Sequence, residues 1–297
     1  MALAWWWAGA DPERSGVTLV PATPQDAGAR AARTPAGENA ARPSAEALPV
    51  AAGVSADPVG GATDLKGVFD EFIASGDPGQ RRIAARAFNA CVPAFLPPGS
   101  QTPSAEPLIR ALPAEHRAER ETAYRALFAR CHGFLGAGRA SLEGTQRQLQ
   151  EDQEAHEPGL RVHEDLLAGR TERIETLVSQ GLTAADPAAV ASLAGVAARL
   201  AQQRNPDGTD AALAQRADAV DAALPWIACD LGLECSATSL AALQLCAVQG
   251  LCEGDLKSRI ALRSGAAVGA TEVQQQRERL LPLIRSGRPL TTMDLLP

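Results

Sequence analysis

Four of the six cysteines in this chain lie within one short stretch and follow the pattern C-x5-C-x10-C-x5-C. They are Cys229, Cys235, Cys246 and Cys252. Structural zinc sites usually contain C-x2–4-C pairs, and thioredoxin-like redox chemistry needs C-x-x-C. Neither spacing occurs here, and the stretch holds no histidine. The pattern therefore favours disulfides, with metal binding and free buried thiols as alternatives.

The pairing of these four cysteines is open, because four cysteines allow three connectivities. We favour Cys229–Cys246 with Cys235–Cys252, since each bridge would clamp a turn against the following helix. The alternative that we weigh is Cys229–Cys252 with Cys235–Cys246. A helix between Cys235 and Cys246 would separate them by roughly 16 Å, beyond the ~7 Å allowed between the Cα atoms of a disulfide. That alternative requires the segment carrying Cys235 to fold back.

Cys91 and Cys131 are predicted to form a third disulfide. Each lies near the end of one of two consecutive long helices, on the apolar side. A bridge between them would close a loop of about 40 residues and contribute roughly 3 to 4 kcal/mol in the chain-entropy description. Disulfides persist in oxidising compartments, so paired cysteines would indicate an exported protein.

The histidines form no recognisable catalytic or metal-binding pattern. His156-Glu157 and His163-Glu164-Asp165 contain metal-ligand residue types, but no H-E-x-x-H motif occurs, and Pro158-Gly159 interrupts the helix between them. His132 follows Cys131, but a catalytic Cys-His pair also needs an orienting third group. We interpret the histidines, including His116, as structural or solvated. The neighbouring acids are interpreted as one solvated face: Glu151, Asp152, Glu154 and Glu157.

Motifs for other chemistry are missing from the sequence. It contains no G-x-S-x-G elbow, no P-loop and no dinucleotide fingerprint. The run GFLGAG (133–138) falls between two predicted helices rather than after a strand. Trp226 is expected to pack against the cysteine cluster. We therefore predict no catalytic, cofactor-binding or metal-binding residue, and no cofactor.

Composition predicts an all-α protein. Hydrophobic residues make up 45% of the 297 residues, but aromatic residues only 4%. Much of the apolar content is alanine, the best helix former. The net charge is −7, and lysine occurs only at Lys66 and Lys257. A nucleic-acid surface needs a concentrated positive footprint, so we expect no nucleic acid among the partners.

Helix start and stop signals recur through residues 63–290, which we take as one helical domain. Asp77-Pro78 and Asp186-Pro187 each resemble an N-cap followed by the first helical residue. The helix that starts at Asp186-Pro187 is predicted to extend to about Arg204, and Pro113 is predicted to open a helix through Cys131. Thr238 or Ser239 is predicted to cap a helix that ends at Gly250. Alternating strand patterns are lacking. We expect about ten short helices, arranged as a multi-helix bundle or as an irregular α-solenoid-like array.

The N-terminal residues have a different character. Residues 1–10, MALAWWWAGA, contain three consecutive tryptophans, a residue type that suits a membrane interface. Ala8-Gly9-Ala10 has the A-x-A form of a signal-peptide cleavage site. We expect a remnant of a signal or anchor segment, completed by an upstream lead-in. Residues 11–62 are rich in Ala, Pro and Gly and are predicted to form a disordered tether. Residues 291–297 are predicted to be a tail.

One further pattern carries a family resemblance. Residues 226–252 read W-I-A-C-D-L-G-L-E-C-x10-C-x3-G-x-C, and SGDP (75–78) and RCHGF (130–134) accompany them. Together these motifs resemble a segment of uncharacterised exported, cysteine-containing α-helical cell-envelope proteins of proteobacteria. The resemblance covers only part of the chain. It implies an exported, disulfide-bearing helical protein and carries no known activity.

These observations predict a non-enzymatic helical protein of the bacterial envelope. It would be periplasmic, or anchored in the inner membrane through its N-terminus and facing the periplasm. It would act by presenting a helical surface to an envelope protein partner. The alternative is a hydrolase-like envelope enzyme whose site forms only in three dimensions. A deep pocket with converging acids or histidines would favour that alternative.

Overall fold

The structure is a computed structural model, and it describes residues 57–95, 104–183, 186–264 and 268–297. The predicted signal or anchor remnant, 1–10, lies outside the described residues, as does the predicted tether up to residue 56. Within the described ranges the chain forms fifteen α-helices and no strand. This confirms the prediction of an all-α, multi-helix fold.

The helices are short and follow one another closely. The first eight are α1 Leu65–Phe72, α2 Pro78–Phe95, α3 Glu106–Arg110, α4 Arg117–Arg130, α5 His132–Leu135, α6 Arg139–Glu151, α7 Pro158–Leu167 and α8 Ile174–Thr183. The remaining seven are α9 Pro187–Ser192, α10 Val196–Arg204, α11 Ala211–Asp230, α12 Leu240–Gln249, α13 Leu256–Ser264, α14 Ala270–Arg285 and α15 Thr292–Leu295. A single 3-10 turn, Gln153–Ala155, separates α6 from α7.

Capping side chains start several helices where the sequence predicts. The Asp186 side chain accepts hydrogen bonds from the amides of Ala188 and Ala189. Ser239 accepts from the amide of Ala242 at the start of α12. These oxygens satisfy amide groups that have no partner inside their own helix.

Two predicted helix boundaries are wrong. The helix expected from Asp186-Pro187 to Arg204 is two helices, α9 and α10. Gly195 separates them at a φ of +91°, a left-handed conformation that glycine adopts without steric cost. The helix expected to open at Pro113 begins only at Arg117, after His116 at a φ of +49°.

Residues 57–62 belong to the folded domain rather than to the predicted tether. Val59 is 2% exposed within the hydrophobic core. The carbonyl oxygen of Gly60 accepts a hydrogen bond of 2.8 Å from the amide of Leu240. We call residues 57–61 the leading segment.

The predicted tail, 291–297, is also part of the fold. Thr291 and Asp294 form a reciprocal capping box at the start of α15. Leu295 and Leu296 are fully buried, so these residues complete the core.

In the described residues the core consists of three hydrophobic clusters, and α12 contributes to both the first and the third. The first cluster includes Phe69, Phe88 and Phe134, whose ring centroids lie 5.5 to 5.7 Å apart. Residues of α11 enter both the second and the third cluster. Because α11 is buried on opposite sides, it lacks the single apolar stripe of a surface helix. None of the described helices is both long and apolar enough to cross a membrane.

Candidate functional site

The structure joins Cys91 to Cys131, as the sequence predicts. Their Cα atoms are 5.3 Å apart. Cys91 lies in α2, and Cys131 directly follows the last residue of α4. This bridge links α2 to the end of α4, and both cysteines are buried in the first hydrophobic cluster.

The predicted pairing of the other four cysteines is wrong. Cys229 is bonded to Cys235, with Cα atoms 5.8 Å apart. Cys246 is bonded to Cys252, with Cα atoms 4.3 Å apart. Each bridge therefore closes a short local loop and does not connect the turn to the following helix.

Glycines between the paired cysteines explain these local bridges. Gly232 follows α11 at a φ of +109°, and Gly250 follows α12 at a φ of +76°. A left-handed residue after a helix reverses the chain, which brings the second cysteine back to the helix end. The glycine inside each close C-x5-C pair was the sequence signal for this connectivity.

All six cysteines are therefore in disulfides. Within the described ranges, the structure contains no group of three or more His, Cys, Asp and Glu side chains placed to hold a metal ion. Trp226, Cys229 and Cys235 each pack against the third hydrophobic cluster, and the indole nitrogen of Trp226 donates to the carbonyl of Lys257 at 3.2 Å.

The four histidines lie in different parts of the fold: His116 precedes α4, His132 begins α5, His156 follows the 3-10 turn and His163 lies in α7. His156 uses its Nε2 atom to contact the carbonyl oxygen of Leu149 at 3.1 Å. Burial lowers the pKa of His163, and the nearby positive charge of Arg199 lowers it further. His132 is exposed at the start of α5.

Glu157 is an acidic residue in an unusual position. The sequence predicts that it belongs to a solvated face, but its side chain is only 4% exposed. The prediction is wrong for Glu157 because Arg86 of α2 approaches its carboxyl group and the Ser192 backbone packs against Gly159, two residues later. Glu154, three residues earlier, has a side chain that is 67% exposed.

Tight backbone packing fixes the position of Glu157. It is the N-cap residue of α7, and Pro158 is the first helical residue. The amide of Gly159 donates to Ser192 Oγ at 3.0 Å. A Cβ atom at position 159 would overlap the carbonyl of Ser192, so only glycine allows this close approach. This packing against Ser192 fixes the start of α7, and with it the position of Glu157.

Charged side chains from several segments surround the Glu157 carboxyl group. Arg86 Nε lies 3.2 Å from Glu157 Oε1, and Arg86 Nη1 lies 3.6 Å from Asp57 Oδ1. Arg82 and Asp186 also act on Glu157 electrostatically. One guanidinium group, that of Arg86, is thus shared by two buried carboxylates.

Hydrogen bonding within this cluster is incomplete. In the part of the chain that the structure describes, neither oxygen of Glu157 has a hydrogen-bond partner, and the same holds for Nε of Arg82 and Arg86 and for Nδ1 of His156. Buried polar groups are normally hydrogen-bonded. We therefore take the cluster centred on Glu157 as the candidate functional site.

Burial raises the pKa of the Glu157 carboxyl above its usual range. Arg86 and Arg82 oppose this effect, whereas the negative charges of Asp186 and Asp57 add to it. A carboxylic acid in such surroundings can retain its proton at a pH where an exposed glutamate has lost it. The arrangement can thus store or donate one proton.

Asp221 is a second carboxyl group in an unusual position. From the middle of α11 it accepts hydrogen bonds from the amides of Ala197 and Ala198, at 3.0 and 2.9 Å. It thereby caps the start of α10 from a neighbouring helix. Burial raises the pKa of Asp221 to about 7, although these amides favour the ionised form.

Several arginine side chains act as internal braces. Arg120 donates to the carbonyls of Ala247 and Val248 at the end of α12. Arg130 donates to the carbonyls of Gly60 and Thr238. Others donate to carbonyls in the same way: Arg117, Arg204, Arg259, Arg279 and Arg285. A guanidinium group suits this role because its several donors lie in a rigid plane.

Comparisons with protein-family models, with curated proteins and with solved structures gave no match for this chain.

Proposed function

We propose that this protein is exported or membrane-tethered and works without catalysis, binding another protein of the bacterial envelope through a helical surface. The observation that carries the proposal is the pairing of all six cysteines. Stable disulfides form in oxidising compartments such as the periplasm and are rare in the cytosol.

The placement of polar groups supports a binding rather than a catalytic role. Asp221 caps the start of α10, Arg120 donates to the end of α12, and Arg130 braces the leading segment. Glu157, a nearly buried acid, pairs with Arg86, which also faces Asp57 of the leading segment. A protein made of short helices braced in this way presents a stable surface and needs no cofactor to do so.

Thiol trapping in intact cells tests the compartment. The full chain is expressed in a bacterium, the cells are quenched with acid, and free thiols are alkylated before denaturing electrophoresis. We expect all six cysteines to resist alkylation until a reductant is added. Alkylation of all six without a reductant would contradict export.

Site-specific photocrosslinking tests the binding role. The photoreactive residue is placed at exposed apolar positions, Val248 and Leu262, which are 39% and 52% exposed. Matched controls carry it at the exposed polar positions Gln215 and Glu253. We expect one protein to be crosslinked in living cells from an apolar position and not from the controls. Equal crosslinking from all four positions, or none, would argue against a specific partner.

A hydrolase-like envelope enzyme is the second candidate, and one observation favours it. Glu157 is a buried acid with a raised pKa, the property of many general acids. Purified envelope polymers incubated with the protein would release fragments detectable by mass spectrometry. Glu157→Gln should abolish that release without loss of the helical circular-dichroism signal.

A further inference from the structure

Arg86 connects the leading segment to α7. Its guanidinium group lies 3.2 Å from the carboxyl of Glu157 and 3.6 Å from that of Asp57. The side chains of Arg86, Asp57 and Glu157 are 14%, 5% and 4% exposed. Water screens these charges weakly, so the charge state of one carboxyl group strongly affects the other.

The other end of the leading segment is held by backbone contacts. The Gly60 carbonyl oxygen accepts hydrogen bonds from the Leu240 amide at 2.8 Å and from Arg130 Nη1 at 3.2 Å. The Leu240 amide belongs to the first turn of α12, where no intrahelical acceptor is available. Exchange of this amide with solvent therefore reports whether the leading segment is docked.

We propose that Asp57, Arg86 and Glu157 form a proton-controlled latch, which holds the leading segment docked when Glu157 is protonated and loosens it when Glu157 ionises. The proposal goes beyond partner binding. It assigns a conformational role to the point where the N-terminal part of the chain enters the helical domain.

The direction of the pH dependence follows from the charges that face Glu157. Arg82 and Arg86 come from α2, Asp57 comes from the leading segment, and Asp186 precedes α9. His156 directly precedes Glu157 in the chain. When Glu157 is ionised, two negative charges, those of Asp57 and Glu157, share the one guanidinium group of Arg86.

Release of the leading segment removes Asp57 from the cluster and admits water to Glu157. Both changes favour the ionised carboxyl, so the docked state binds the proton more tightly than the released state does. By linkage, docking is strongest at acidic pH and weakens as the pH rises through the docked pKa of Glu157.

Hydrogen exchange of the Leu240 amide, followed by NMR in the full chain, tests the latch. After correction for the intrinsic rate, protection should fall as the pH rises from 5 to 8. The expected change is about tenfold for each unit by which the pKa of Glu157 differs between the two states. The midpoint should coincide with the titration of the Glu157 side-chain carboxyl, observed by carbon-13 labelling in the same protein.

Two variants separate the latch from general effects of pH. Glu157→Gln and Asp57→Asn should each flatten the pH dependence of Leu240 protection, whereas Asp70→Asn, in an exposed pair with Lys66, should leave it unchanged. A flat profile in the wild-type protein overturns the proposal. So does a full pH dependence in either folded variant, or a midpoint that differs from the Glu157 titration. In the wild-type protein, the midpoint of Leu240 protection is compared with the titration of Glu157. This comparison tests the proposal even if both variants fail to fold.

Discussion

The carbonyl oxygen of Gly60 accepts a hydrogen bond from the amide of Leu240 at 2.8 Å. This contact joins the leading segment to the first turn of α12, far along the chain. Arg130 donates to the same carbonyl and to that of Thr238. The start of the helical domain is therefore fastened to the disulfide-bearing region near its other end.

The three disulfides should differ in their effect on stability. The Cys91–Cys131 bridge spans 40 residues, whereas each of the other bridges spans 6. Because a longer loop loses more entropy on closure, replacing Cys91 and Cys131 by alanine should lower the free energy of unfolding by about 4 kcal/mol, against about 2 for either short bridge. Urea denaturation measures these values, and an equal loss for all three bridges would contradict the ranking.

Gly159→Ala should destabilise the protein, because the added methyl group would overlap the Ser192 carbonyl. We expect a loss of about 1 to 3 kcal/mol in the free energy of unfolding. Gly144 provides the matched control, since it lies inside α6 and the methyl group of an alanine there would meet open space. Gly144→Ala should stabilise the protein by about 0.5 to 1 kcal/mol. Stabilisation by both substitutions would refute the close packing at Gly159.

The raised pKa of Asp221 predicts a particular pH dependence. With its pKa raised from 3.8 to about 7 in the folded protein, this group binds more protons in the folded than in the unfolded state between these pH values. Its contribution to stability is therefore present at low pH and is lost as the pH rises through this window, by up to about 4 kcal/mol. Asp221→Asn should reduce this decline, measured by urea denaturation from pH 4 to 8. Identical profiles for the two proteins would contradict the assignment.

Arg259 should be more important for stability than an exposed arginine. It is 5% exposed and donates to the carbonyls of Ala242, Gly254 and Cys252. Arg259→Met leaves these carbonyls without their donor and should cost about 2 to 4 kcal/mol.

Arg125 is the control for Arg259. It pairs with Glu106 and Glu121 on the surface and is 56% exposed. Arg125→Met should change the free energy of unfolding by less than about 1 kcal/mol. Thermal and urea denaturation of both variants give the comparison, and similar losses would show that Arg259 is not a brace.

The C-terminal helix should contribute to the core. Leu295 is fully buried in the second hydrophobic cluster, whereas Met293, two residues earlier, is 58% exposed. Leu295→Ala should lower the free energy of unfolding by about 2 to 5 kcal/mol, and Met293→Ala should have little effect. If both substitutions are neutral in urea denaturation, residues 291–297 behave as the tail that the sequence predicted.

The sequence by itself determined the all-α class and many helix starts, because these depend on neighbouring residues. Asp186 and Ser239 act as caps within one helical turn. Gly232 and Gly250 carried the local information for the two short disulfides, although the spacing of the cysteines alone suggested a different pairing.

Only the tertiary structure decided which polar groups are buried. Glu157 lies in a charged stretch of sequence, yet the fold buries it and places Arg86 of α2 beside it. Asp221 caps α10 although it belongs to α11. Burial and long-range hydrogen bonds depend on segments that are distant in sequence, so residue type and spacing do not encode them locally.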